Sequence, residues 1–311
     1  MRITRTLLPL TFSLMTACYS PAALRTRVIS APQSMPSATA AASASAPITA
    51  PPVTEIKYNV TNFASLSAAF ENLLTDSVKV VAIGEIHKSH SSNLPSTMSY
   101  FKDALPIFSQ RGFKDLVFEP LPSNAKAESE AKLSGKTRGY GPFLNDWFAY
   151  HDDYCGIFLS IVAASSSGIA VHGVHFRDTK EQEAQFSNLA VLITSRARME
   201  THELLAKDKK VIIYTGAVHN DIDPLTFREQ LSFGKDLRKE LDSGYIEVDI
   251  FLPELADNVP SDVINMTNYK NYIPTDGVNV VNPQTGRYVI LLPKFNGQVV
   301  NSIPEKNPAC H

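Results

Sequence analysis

The sequence predicts an α/β domain with a mostly parallel central sheet, helices on both faces, and an antiparallel hairpin added at the C-terminal end. Three observations carry that expectation. Short, nearly continuous apolar runs recur along the chain, as in strands covered on both faces. Segments of helical character separate them, long enough to serve as crossovers between parallel strands. Near the end, two apolar runs flank a tight turn, the pattern of a hairpin.

Val78–Ile83 (VKVVAI) is the first strand and ends at Gly84, with a helix expected over residues 93–111. Leu116–Phe118 is a second strand, entered through Gly112 and stopped by Glu119-Pro120, because proline removes a ladder donor. Residues 123–165 read as mostly helical, with breaks at Ser134-Gly135 and between Gly139 and Pro142. Ile169–Val174 forms the third strand, residues 181–206 a long helix, Val211–Thr215 the fourth strand and Tyr245–Phe251 the fifth. The hairpin joins VNVV at 278–281 to YVILL at 288–292 through Asn282–Gly286.

The folded part is smaller than the 311 residues. Arg2 and Arg5 precede the apolar stretch Leu7–Met15, and Thr16-Ala17-Cys18 follows, as in a bacterial lipoprotein-type export signal over residues 1–17. Cys18 is the expected lipidation site, anchoring the chain to a membrane without spanning it. The alternative is an ordinary signal peptide cut nearby. Tyr19, in place of an acid, favours the outer over the inner membrane, with the domain in the bacterial cell envelope, in the periplasm or at the cell surface. Residues 18–54 are an Ala/Ser/Pro-rich tether that buries too little apolar surface to offset the entropy of ordering. Residues 55–311 are then a single α/β domain.

Lys and Arg number 29 against 31 Asp and Glu, a formal charge of −2 that becomes −4 once Arg2 and Arg5 leave with the signal. No basic run stands out, so nucleic acid is not an expected partner. Cys155 and Cys310 could pair in an oxidising compartment, or remain as a buried thiol and a free one. Several competing chemistries lack their motifs: G-x-S-x-G, G-x-x-x-x-G-K-[ST] and G-x-G-x-x-G are missing, and His202-Glu203 meets Ala206 where a zincin helix needs its second His.

Ligands of open α/β sheets sit at the carboxyl ends of the strands, and the polar residues of this chain gather there. The first strand leads into Gly84-Glu85-Ile86-His87 with His90 behind, and the second into Glu119. The third carries His172 and leads to His175 and Asp178, and the fourth ends in Gly216-Ala217-Val218-His219. Such His and carboxylate groups suit two chemistries. They could hold a divalent metal ion, with His87, His219 and Glu119 as ligands, or a His oriented by a Glu could act as general base on water. His90 and His175 read equally as extra ligands or surface groups. His172 reads as a satisfied core histidine and Tyr214 as a core aromatic.

The two G-x-x-H motifs, GEIH at 84–87 and GAVH at 216–219, with a strand ending in Glu119 between them, resemble the Tiki/TraB, erythromycin-esterase-like and haem-binding ChaN-like superfamily over residues 76–250. The resemblance implies a pocket of Glu85, His87, Glu119 and His219, supported by Arg196 or Arg198 from the preceding helix. It implies hydrolysis of an ester or amide bond in a small-molecule or peptide substrate. Its alternative is a haem- or iron-binding lipoprotein without catalysis. An acid expected after the third strand is replaced by His172, His175 and Asp178.

Overall fold

The structure is a computed structural model describing residues 58–86, 95–122, 154–175, 189–256 and 269–295. Described elements follow in chain order: β1 (Asn59–Phe63), α1 (Leu66–Leu73), β2 (Val80–Glu85), α2 (Met98–Phe101), α3 (Leu105–Gln110) and β3 (Phe113–Pro122). Next come α4 (Tyr154–Ser166), β4 (Ala170–His175), α5 (Leu189–Leu205), β5 (Lys210–Gly216), α6 (Gly234–Leu241), β6 (Tyr245–Phe251), β7 (Val278–Gln284) and β8 (Arg287–Leu291).

Among the described residues eight strands make one sheet, in the order β1-β7-β8-β6-β2-β5-β3-β4. The run from β8 to β4 is parallel throughout, and β7 pairs antiparallel with both β1 and β8. The expected α/β architecture with its C-terminal hairpin is therefore the observed one. After β2 the chain builds β3 and β4 on one side, returns to insert β5 beside β2, and then crosses to β6 on the other side. The carboxyl ends of β2, β5 and β3 thus lie side by side where the order reverses, the place such sheets reserve for ligands.

Strand alternation sorts the core into two layers. Val81 and Ile83 of β2, Ile212 and Tyr214 of β5 and Phe118 of β3 pack with Phe70, Phe101, Phe108 and Ile161 on the face covered by α1 to α4. Val80, Ala82, Val117, Val211 and Ile213 pack with Ala197, Leu204 and Leu237 on the face covered by α5 and α6. Both faces are covered, which explains the near-continuous apolar runs in the sequence.

Three expectations are corrected. Residues 93–111 do not form one helix: α2 passes through a 3-10 turn at Lys102–Ala104 into α3, whose first turn holds Pro106, a residue without the N–H that an unbroken ladder needs. β3 does not stop at Glu119-Pro120 but continues to Pro122. It passes the proline through a register shift against β4 between Phe118 and Pro122. Gly173 of β4 accommodates that bulge, since a Cβ there would collide with the carbonyls of Leu121 and Pro122. β1 was not expected at all; its residues NVTNF are mostly exposed and lack an apolar face to read. No described helix is long and apolar enough to cross a membrane.

Candidate functional site

β5 ends at Gly216, where the chain turns: the His219 N–H donates to the Gly216 carbonyl (2.9 Å) and the Ala217 N–H to the Glu85 carbonyl (2.9 Å). Donors from the start of α6 secure the other side, with the Phe233 N–H (2.9 Å) and the Ser232 hydroxyl (3.2 Å) both reaching the His219 carbonyl. His219 is thereby fixed above the ends of β2, β5 and β3, with 8% of its surface exposed.

Its ring is oriented through Nδ1. That nitrogen lies 2.9 Å from the Leu231 carbonyl and 2.7 Å from Thr194 Oγ1 on α5. A carbonyl only accepts, so Nδ1 carries a proton; Thr194 accepts a share of it while its own hydroxyl has the Ala190 (2.8 Å) and Leu231 (3.0 Å) carbonyls as acceptors. In the neutral ring Nε2 is then the lone-pair nitrogen, and it lies 3.9 Å from Glu119 Oε1. The other oxygen of Glu119, Oε2, accepts the Gly216 N–H at 2.8 Å. Glu119 and His219 are thus locked onto the same turn, one through Gly216 and the other through its own backbone.

Glu85 belongs to a second group. Alternation along β2 turns it to the face of Ile83, whereas Glu119 follows Phe118 and turns to the opposite face. Glu85 Oε2 accepts hydroxyls from Thr97 and Tyr214, each at 2.6 Å, and those two hydroxyls lie 2.9 Å apart. Tyr214 is a core aromatic, as expected, packed with tilted rings against Phe101 and Phe118, but its hydroxyl also serves Glu85. The two carboxylates flank Gly216, which pairs with Glu85 in the ladder and donates to Glu119.

Of the supporting arginines, Arg196 reaches the carbonyl of buried His175 at the end of β4 (3.3 Å). Arg198 instead pairs with Asp236 in the first turn of α6 (2.6 Å). His172 is held between Asp115 (2.8 Å) and Glu200 (2.7 Å), a structural contact as expected. Gly84 does not serve a turn: it lies inside β2, and a Cβ there would strike the Asp249 carboxylate and crowd Asn220. His87, His90, Asp178, Cys18 and Cys310 lie outside the described residues, as does the side chain of Cys155. A cavity of about 510 Å³ opens at the other end of the sheet, beside Lys79, Asp115 and Lys209.

Among the described residues no group of three or more His, Cys, Asp or Glu side chains converges as a metal site. Nε2 of His219 and Oε1 of Glu119 are the kinds of nitrogen and oxygen donor that a divalent ion takes, but two donors alone do not make such a site.

The motifs did not reveal Thr97, Thr194 or the Leu231 carbonyl, since hydroxyls and backbone acceptors leave no spacing pattern. Glu247 and Asp249 were legible in principle: two acids at period two in the apolar strand YIEVDIF share one face.

No protein-family model matches the chain, and no curated protein matches it. Among solved structures, the type III effector HopBA1 is similar at 13% identity and a TM-score of 0.45, over 78% of this chain and 99% of that one. RRSP, a MARTX toxin effector domain from Vibrio vulnificus, is similar at 17% identity and a TM-score of 0.36; the match covers 52% of this chain and 34% of that one. A protein from Bacillus cereus is similar at 13% identity and a TM-score of 0.39, over 59% and 68% of the two chains.

Proposed function

We propose that the carboxyl edge of the sheet is a hydrolytic site. In this reading His219 is the general base that takes a proton from water as it attacks an ester or amide carbonyl. The observation that carries the reading is the Nδ1 contact with the Leu231 carbonyl, which makes Nε2 the accepting nitrogen on the side of Glu119. Once Nε2 is protonated the ring is a cation, and the Glu119 carboxylate 3.9 Å away stabilises it. Glu85, held by two hydroxyls, fixes the adjoining strand ends, and the first G-x-x-H motif assigns His87 to the same site by sequence alone. A divalent ion, where one is bound, would supply Lewis acidity and a more acidic water. Export and lipid anchoring through Cys18 belong to the same proposal and rest on residues 1–18 alone.

The test is turnover by the purified domain on a panel of esters, lactones and peptides. His219→Gln and Glu119→Gln should each lower it at least about 100-fold, the low end of what general base catalysis contributes, with circular dichroism unchanged. Equal turnover in both variants overturns the reading. An absence of turnover together with a Soret band on adding hemin replaces it with haem binding.

A further inference from the structure

Behind the His219 turn, β6 directs two carboxylates into the face covered by α5 and α6. Glu247 and Asp249 are neighbours at i and i+2, 0% and 1% exposed. Among the described residues one cation meets them: Arg287 of β8 places Nε 3.0 Å from Glu247 Oε1 and Nη2 4.0 Å from Asp249 Oδ2, while its Nη1 lies 3.2 Å from Asp221 Oδ1. Three carboxylates therefore share one guanidinium in a place largely closed to water. That imbalance is costly unless a proton stays. The cluster is also short of donors, since Asn220 Oδ1 is buried without one.

The same groups hold the segment that carries His219. Asn220 Nδ2 donates to Asp249 Oδ1 (3.1 Å), the Ile222 N–H to Glu247 Oε2 (2.8 Å), and the Tyr245 hydroxyl to the Asn220 carbonyl (2.9 Å). Asp221 is tied to Arg287. Four of the contacts that hold residues 220–222 thus end on a member of the charged cluster or on Tyr245 beside it, while the Asn220 amide also reaches the Ala82 carbonyl (3.3 Å) and the Asp221 carbonyl accepts the Ser232 hydroxyl (2.6 Å).

We propose that Glu247 and Asp249 form a proton-operated latch, which holds the 217–223 segment and its His219 while both carboxyls are protonated and loosens the segment when Asp249 gives up its proton. The functional meaning of the latch rests on the His219 reading above; the latch itself does not. Burial drives both carboxyls upward, Glu247 well above its ordinary range and Asp249 to about 6. The titratable groups facing the pair are Arg287 of β8, Asp221 of the segment and Tyr245 of β6, with Tyr269 beyond Arg287. β2 presents uncharged Gly84 to the pair, and Arg238 of α6 donates to the Asp242 and Tyr245 carbonyls.

The experiment is NMR on the whole chain between pH 4.5 and 8. It follows the Asp249 side-chain carboxyl ¹³C shift and the protection factor of the Ile222 amide, corrected for the intrinsic pH dependence of exchange. The latch predicts that Ile222 protection falls as Asp249 titrates, by up to about 100-fold, the factor given by about two pH units between the latched carboxyl and an ordinary one. Asp249→Asn should abolish the fall. Where that variant does not fold, Glu247→Gln answers the same question. Protection that is flat in the parent chain, or a fall that persists in the folded variant, overturns the latch. Neither readout uses turnover, so failure of the hydrolytic reading shows separately.

Discussion

Thr194 decides how firmly His219 can hold its tautomer. Its hydroxyl is the shorter of the two contacts to Nδ1, at 2.7 Å, and it is itself fixed by the Ala190 carbonyl. Thr194→Val keeps the shape of the side chain and removes the acceptor, leaving Leu231 to hold the ring. One hydrogen bond of this kind contributes about 1 kcal/mol, or somewhat less than tenfold in rate. On the hydrolytic reading proposed above, turnover should therefore drop about 5- to 10-fold, and Thr194→Ser should restore it. The imidazole ¹⁵N shifts should move toward a tautomer mixture in the valine variant alone. Unaltered shifts in that variant would show that Leu231 suffices. This residue was invisible in the sequence because a threonine inside a helix has many mundane uses, and its partner lies 25 positions away. His219 and Glu119 were legible for the opposite reason: polar side chains directly after apolar strands have few structural explanations. Glu85 was equally legible as a site candidate, but its separation from Glu119 by the plane of the sheet depends on strand register. The motif alone did not fix that.

At the scale of elements, the sheet edge depends on β3 running past its own proline. The bulge at Pro120 carries Glu119 to its place under Gly216, and the bulge fits because Gly173 on β4 has no side chain. Gly173→Ala would drive a methyl into the Leu121 and Pro122 carbonyls, which are backbone and cannot swing aside. Overpacking of this type costs about 1 to 3 kcal/mol. The variant should show a denaturation midpoint lowered accordingly, together with a loss of turnover larger than the stability loss explains, since Glu119 moves with the bulge. A variant as stable and active as the parent would mean that β3 and β4 can separate without disturbing the edge. The parallel strands β2 to β6 were readable as apolar runs because both faces are covered. The continuation of β3 was not, because Glu119-Pro120 has the chemistry of a stop and only the pairing partner shows otherwise. β1 escaped notice because an edge strand that buries little has no hydrophobic period to detect.

For the molecule as a whole, the Glu247–Asp249 pair sets the sign of a stability term. Both carboxyls have folded values above their unfolded ones, Asp249 at about 6 against an ordinary value of about 4. The folded state therefore binds more protons than the unfolded state through that window, and stability falls as pH rises. The contribution is fully present below about pH 4 and is lost as pH passes through 6. Most carboxylates work the other way, gaining stability as pH rises from acid, so the net curve of the whole chain need not reveal the pair. A difference does. Unfolding free energy measured by urea denaturation from pH 4.5 to 7.5 should decline in the parent chain relative to Asp249→Asn by about 2 kcal/mol, since each proton contributes up to about 1.4 kcal/mol per pH unit. The change should centre near pH 6. A parent-minus-variant difference that is constant across this range would mean that the folded chain does not keep the proton, and that Arg287 alone balances the three carboxylates around it.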